Sequence, residues 1–235
     1  MKRLSGWDAM LLYSETANVH MHTLKIAVIE LDADRQGFDV EAFRRVIHGR
    51  LYKLDPFRYQ LVDIPGKFHH PMWRENCELD LAYHIRPWSL PAPGGRRELD
   101  EAIGEIGSTP LDRSRPLWEM YFVDGLANNR IAVVGKIHHA LADGIASANL
   151  MARGMDLLAG PQFDRDSYET DPAPTRGQLV RSAFKDHFRQ MGKIPATIGY
   201  TAAGIGRVRR STRKLSADLT RPFTPPPSFL NHVLT

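Results

Sequence analysis

His138-His139-Ala140-Leu141-Ala142-Asp143-Gly144 separates two kinds of hydrophobic pattern. The residues before it, Ile131 to Ile137 (Ile-Ala-Val-Val-Gly-Lys-Ile), form the apolar run of a buried strand. Those after it, Asp143 to Leu158, predict a helix with Ile145, Ala148, Ala152 and Met155 on one face. The stretch is thus a strand-to-helix turn, a junction that belongs to layered α/β folds rather than to helical bundles. Extended residues alternate sides, so Ile137 and His139 share one face while His138 joins Lys136 and Val134 on the other. Only one of the two imidazoles can face a given cleft.

Outward from this turn the alternation of elements continues. Thr23 to Leu31 reads as a strand, and Val40 to Leu54 as a helix with Phe43, Val46, Ile47 and Leu51 apolar, ended by Asp55-Pro56. Phe68 to Trp73 and Leu79 to Ile85 read as shorter strands, and Leu99 to Ser108 as a helix carrying Ile103 and Ile106. Trp118 to Val123 and Ile131 to Ile137 predict a hairpin across Asp124 to Arg130, whose Asp-Gly and Asn-Asn pairs are turn chemistry. Residues 1–159 therefore read as one α/β domain, followed by a polar, Pro-rich linker over 160–177. Residues 178–235 predict two helical stretches broken at Pro195, a basic run (Arg207, Arg209, Arg210, Arg213, Lys214) and an extended tail containing Pro225-Pro226-Pro227.

The turn gathers residues suited to proton transfer. A neutral imidazole titrates near ~6.5, which suits a general base acting on a hydroxyl or thiol at neutral pH. His139 is the candidate base. Asp143 can hold the turn by accepting backbone N–H groups, as an N-cap does, or by pairing with Arg113 or Arg115, and Gly144 leaves room for a close approach. A metal reading of His138, His139 and Asp143 is weaker, because adjacent strand histidines diverge and further ligands must come from elsewhere. No Gly-x-Ser-x-Gly elbow occurs, and Cys77 is a single thiol without an activating pattern. Attack by the substrate's own hydroxyl is the simplest chemistry that remains.

Three segments carry a family resemblance. The HHxxxDG motif at 138–144 matches an active-site signature, Pro110-Leu111-Asp112-Arg113-Ser114-Arg115-Pro116-Leu117-Trp118-Glu119 matches the block that precedes it, and Leu4-Ser5-Gly6-Trp7-Asp8-Ala9-Met10-Leu11-Leu12-Tyr13 with Met21-His22 matches the start. The chain resembles the N-terminal half of the bacterial wax ester synthases/acyl-CoA:diacylglycerol acyltransferases, from Met1 to Leu158 and more loosely to the end. The HxxxDG core is shared with the wider chloramphenicol-acetyltransferase-like and condensation-domain superfamily, and the block at 110–119 narrows the match. The resemblance implies a chloramphenicol-acetyltransferase-like two-layer half-domain with a mixed sheet, followed by a helical segment. It also implies transfer of a long-chain acyl group from acyl-CoA, a co-substrate rather than a resident cofactor, to diacylglycerol or a fatty alcohol. His139 acts as base in that reading, with His138, Asp143 and Gly144 completing the motif. Family members are about twice as long, with a second half that closes the active-site tunnel and supplies an Asn-Asp motif. This chain alone is accordingly expected to be a poor catalyst that associates with such a half or with another copy. The competing reading is a non-catalytic lipid-binding or subunit-like half.

Composition bounds the setting. The 235 residues are 43% hydrophobic with a formal charge of +4, enough apolar content for a sizeable core. A single cysteine excludes an intrachain disulfide and fits a reducing cytoplasm. Asp8 interrupts the apolar stretch that a signal peptide requires, and the longest apolar run, Ile194 to Ile205, contains Pro195, Gly199 and Gly204. Membrane contact is expected to be peripheral, at the inner membrane face or on lipid droplets. The basic run suits an anionic membrane surface or the phosphates of acyl-CoA, and no nucleic-acid motif accompanies it. His69-His70 lacks a spaced Asp-Gly and reads as a strand or cleft-lining pair, while Trp118 and Tyr121 read as core.

Overall fold

The chain is described from a computed structural model, which covers residues 1–31, 38–154 and 169–214, with side chains to 210. It separates into two compact units, Met1–Ala183 and Phe184–Thr235.

The first unit is built on a four-stranded mixed sheet in the order β2-β7-β6-β5. Its strands are β2 (His22–Glu30), β5 (Ile85–Ser89), β6 (Trp118–Leu126) and β7 (Arg130–His138). The predicted hairpin forms between β6 and β7, and Asn128 and Asn129 take the left-handed conformation (φ 61° and 52°) that tight hairpin turns require. β2 pairs antiparallel with β7 along its whole length, whereas β5 runs parallel to β6. A second, three-stranded antiparallel sheet joins β1 (Lys2–Arg3), β4 (Met72–Arg74) and β3 (Gln60–Val62) in that order.

Strand alternation sets two cores. Ile131, Val133 and Ile137 pack with Met120 and Phe122 against Phe43 and Ile47 of α2 (Val40–Arg50) and Leu150 and Met151 of α5 (Gly144–Gly154). Ala132 and Val134 pack with Tyr121 and Val123 against Ala102 and Ile106 of α4 (Arg96–Ser108). The expected mixed-sheet α/β architecture is thus present, with one refinement: helices cover both faces of the sheet, not one. α1 (Gly6–Ser14) adds a third cluster, Leu4, Ala9 and Leu12 against Trp73, Leu111, Leu117 and Ala140. Gly135 faces α5, where an added Cβ would meet Met151 Sδ at 2.5 Å. The helix can lie on the sheet here only because that side chain is absent.

Several expectations need correction. The segment expected as a strand over Leu79–Ile85 is instead α3 (Leu81–His84) leading into β5, because Asp80 Oδ1 accepts from the Ala82 and Tyr83 N–H groups at 3.1 and 3.2 Å and starts a helical turn. Only Met72 and Trp73 of the expected Phe68–Trp73 strand are extended in β4, since Pro65–Lys67 forms a 3₁₀ turn just before it. The buried face of α5 is Ser147, Leu150, Met151 and Gly154, opposite the expected one; Ile145 is 78% exposed. Met155 and the rest of that helix lie outside the described residues, as do 160–168 of the expected linker and the Pro-rich tail.

The described part of the linker leads into α6 (Arg176–Met191) through a reciprocal cap. Thr175 N donates to Gln178 Oε1 at 2.8 Å and Gln178 N to Thr175 Oγ1 at 3.3 Å. Leu179 and Ala183 of α6 pack on Ile64 and Met72. The predicted break at Pro195 is present, with Pro195 in the first turn of α7 (Ile194–Lys214), where its missing N–H costs nothing.

Candidate active site

The strand β7 ends at His138, one residue later than its apolar run suggested. The chain then turns through His139 to Leu141, with Leu141 N donating to His138 O at 2.9 Å, and enters α5 at Gly144. Asp143 caps that helix: its Oδ1 accepts from Ile145 N at 3.1 Å and Ala146 N at 2.8 Å. Of the two roles open to Asp143, capping is the one observed. Arg113 pairs instead with Glu15, and Arg115 with Asp80 and Asp112. A Cβ placed on Gly144 meets nothing within 4 Å, so nothing in the described fold requires glycine there.

The two histidines occupy different environments. His138 is fully buried, and its Nδ1 accepts a hydrogen bond from Ala140 N at 3.0 Å. A backbone N–H can only donate, which assigns the proton of the neutral ring to Nε2. That nitrogen faces Glu15 Oε1 at 3.7 Å. Burial pushes the His138 pKa down to about 4, against an opposing pull from Glu15, so the ring is neutral at pH 7. With one nitrogen accepting and the other protonated against a carboxylate, His138 has no lone pair to offer a substrate. His139 anchors its backbone N–H on Met21 O at 2.7 Å, lies half-buried, and its ring makes no hydrogen bond among the described residues.

Glu15 is the residue that sequence reasoning missed. It follows the last turn of α1, and its carboxylate accepts from Arg113 Nη2 at 2.7 Å, Arg113 Nε at 3.1 Å and Met21 N at 3.3 Å. Burial works to raise its pKa, but Arg113, His138 and the Met21 N–H outweigh that and leave it lowered. Arg113 also donates to Leu12 O at the end of α1. The basic residue of the 110–119 block thus ties the first helix to the turn through Glu15. The only sequence signal was that Arg113 lies in the 110–119 block; Glu15 falls just beyond the 4–13 segment.

The same block stabilises the sheet beneath. Trp118 is buried, stacks on Phe57 and His84 at 4.4 Å each, and donates from Nε1 to Phe57 O at 2.8 Å. Glu119 pairs with buried Lys136 at 3.2 Å and accepts from Tyr121 Oη at 2.8 Å. Desolvation pulls the Lys136 pKa down, and Glu119 opposes it. Trp118 and Tyr121 are core, as read from the sequence. His22 stands opposite His138 in the β2–β7 register and donates from Nε2 to Gly107 O at 3.0 Å, which caps a terminal carbonyl of α4. His70 Nδ1 lies 3.0 Å from Tyr13 Oη, away from the 138–144 turn in sequence and bonded to α1. Burial pushes the Cys77 thiol up to about 11, which leaves it unreactive. Among the described residues no group of three or more His, Cys, Asp and Glu side chains could hold a metal.

Comparison with known proteins extends the geometry. Residues 4–235 match the family described as the wax ester synthase/diacylglycerol acyltransferase catalytic domain. A Mycobacterium tuberculosis protein named for diacylglycerol O-acyltransferase activity is 74% identical over all 235 residues, which cover 50% of its own length. The wax ester synthase/diacylglycerol acyltransferase of Marinobacter aquaeolei VT8 superposes on 65% of this chain and 36% of its own, with a TM-score of 0.56 and 28% identity. The starter condensation domain of rhizomide synthetase shares the fold at a TM-score of 0.52 and 16% identity, over 80% of this chain and 45% of its own. The chain spans about half the length of the relatives that are 74% identical to it. The His138–Gly144 turn, the Arg113 block that braces it and the match across residues 4–235 make this chain a member of the wax ester synthase/diacylglycerol acyltransferase family.

Proposed function

We propose that this chain is the histidine-bearing half of an O-acyltransferase that moves a long-chain acyl group from acyl-CoA to diacylglycerol or a long-chain alcohol, with His139 as general base. The observation that carries the reading is the inequality of the two histidines: His138 is sealed between Ala140 N–H and Glu15, while His139 keeps exposed surface at the end of the strand. In this scheme a neutral His139 takes the hydroxyl proton as the oxygen attacks the thioester carbonyl. The carbon–sulfur bond then breaks, and the imidazolium returns the proton to the departing thiolate, giving the ester and free coenzyme A. No covalent acyl-enzyme is needed. Asp143 holds the turn by capping α5, and the open space over Gly144 leaves room for substrate backbone or chain.

Water would compete with the alcohol at an open site, so the proposal includes a covering surface from the other half of the fold. The half-length match to the 74%-identical relatives supports that requirement. The test measures ester formation from labelled acyl-CoA by the purified chain, alone and with the remaining half of a relative supplied as a separate polypeptide. Ester formed only by the mixture supports the reading, hydrolysis alone in both samples refutes it, and full activity of the chain alone refutes the need for a second half.

A further inference from the structure

We propose that His22 is a positioning residue for the 138–144 turn, and that it acts through one water molecule held between its ring, the His138 ring and Glu15. The backbone puts the two histidines side by side. His139 N donates to Met21 O at 2.7 Å, whereas His138 N points the other way, to Leu117 O at 3.0 Å. That sets the phase of the β2–β7 ladder: Met21 and His139 sit at a bonded position, and the register pair His22 and His138 is of the closely spaced, unbonded kind. Side chains opposite each other in such a pair have Cβ atoms about 4.5–5.5 Å apart. Both lie on the sheet face that α4 covers, where His22 reaches Gly107 O.

Backbone partners place the proton on each ring. His22 donates from Nε2 to Gly107 O and His20 from Nε2 to Ser108 O, both at 3.0 Å, so the two stacked rings clamp the carboxyl end of α4. A carbonyl can only accept, which leaves Nδ1 of each ring as a bare lone pair. Both Nδ1 atoms are buried without a hydrogen-bond partner, and so is Nε2 of His138, which carries that ring's proton. Glu15 Oε1, at 3.7 Å, is too far to accept that proton directly. A polar contact of this length is one that a bridging water spans, and a buried water makes about three hydrogen bonds. Water here accepts from His138 Nε2 and donates to Glu15 Oε1 and His22 Nδ1, so all three groups are satisfied. His22, not His20, is the histidine in register with His138.

The effect carries on to His139. Only the Nε2–H form of His138 leaves Nδ1 free to accept from Ala140 N, the bond that shapes the turn. His22 and Glu15 favour that form, because both receive its proton's hydrogen bond through the water. The step from tautomer to catalysis rests on the acyl-transfer reading of His139; the tautomer itself does not.

Long-range proton–nitrogen spectra of the whole chain, labelled with nitrogen-15 in its histidines, show which nitrogen of each ring carries the proton. Expected at neutral pH are Nε2–H rings for His22 and His138, with a rotating-frame cross-peak between the His138 Hε2 proton and a bound water. A proton on Nδ1 of His138, or no such cross-peak, overturns the proposal without any variant. His22→Phe, with its far-ultraviolet circular dichroism unchanged, should move the His138 ring to a mixture of tautomers. His22→Gln should restore the single form, since its amide both donates to Gly107 O and offers an acceptor, and His20→Phe should leave the His138 ring as it was. An unmoved His138 spectrum in His22→Phe, or an equal shift in His20→Phe, makes the pair a clamp on α4 alone and overturns the role. In the ester assay with the second half supplied, His22→Phe should lose roughly tenfold or more in kcat at unchanged KM for acyl-CoA, and His22→Gln should regain it. A full rate in His22→Phe overturns the positioning role. Absence of ester from every sample, the unsubstituted chain included, counts against the acyl-transfer reading instead, and the spectra still decide the tautomer and its water.

Discussion

Glu15 Oε1 lies 3.7 Å from Nε2 of His138, and through that approach the end of the first helix reaches the strand that leads into the 138–144 turn. The carboxylate also satisfies Arg113 and the Met21 N–H, so it is a junction of three segments far apart in sequence. Removing its charge weakens the acceptor that Arg113 Nε and Nη2 share at Oε2 and takes away the carboxylate facing the His138 ring proton. Glu15→Gln is expected to cost about 1–3 kcal/mol by chemical denaturation. In a double-mutant cycle, Glu15→Gln and His138→Asn should be non-additive; simple additivity would show that the two side chains do not communicate.

The two histidines separate by substitution. His139→Ala should retain the fold and lower ester formation by about 10² to 10⁴, the usual contribution of a general base. His138→Ala should do the reverse, losing stability by about 2 kcal/mol because a buried, bonded ring is replaced by a void, while a measurable rate remains. Labelled acyl-CoA turnover beside thermal melts distinguishes them, and an active His139→Ala protein removes that residue from the chemistry.

Acid should unfold this protein through its buried histidines. His138 and His84 both have pKa values pushed down to about 4 by burial, from an ordinary value of 6.5. Between those values the unfolded chain binds protons that the folded chain refuses, so stability falls as the pH drops from about 6.5 to about 4 and levels off below. Each histidine accounts for about 2–3 kcal/mol of that loss. Glu15, with a lowered pKa, adds loss in the same direction as it protonates. Denaturation midpoints at pH 7.5, 5.5 and 4 measure the slope, and His84→Gln should flatten it; an unchanged slope would place the acid sensitivity elsewhere.

Gly135 and Met151 make a matched pair. Gly135→Ala forces the Met151 thioether to move and should cost about 1–3 kcal/mol, whereas Gly135→Ala with Met151→Ala should recover part of that loss. Urea titrations of the two single variants and the double decide the point, because an uncoupled pair would simply add.

What could be read from the sequence was what local chemistry specifies. The β6–β7 hairpin was legible because Asn128-Asn129 supplies left-handed turn residues between two apolar runs. The turn at His138–Gly144 was legible because a change of period, a histidine and an Asp-Gly pair coincide there. The turn of α3 was not, since Leu81 to His84 carries no period and owes its shape to the Asp80 cap. The buried face of α5 was misjudged because Gly135, on another strand, decides which side of the helix can approach the sheet. Glu15 was invisible for the same reason: its partner Arg113 lies 98 residues away, and only the assembled fold brings them together.

The pairing of β2 with β7 governs when the site comes into being during folding. The β6–β7 hairpin closes over three residues, while joining β2 to β7 means closing a loop of roughly 100 residues, a difference in chain entropy of about 3 kcal/mol. The hairpin can therefore form early as a local nucleus, carrying His138 and His139 at its open end. Glu15, Met21 and His22 reach that end only when β2 arrives. No partly folded state with the hairpin alone has the Met21 carbonyl under His139 or the Glu15 carboxylate beside His138. The candidate site acquires its geometry only with this long-range pairing.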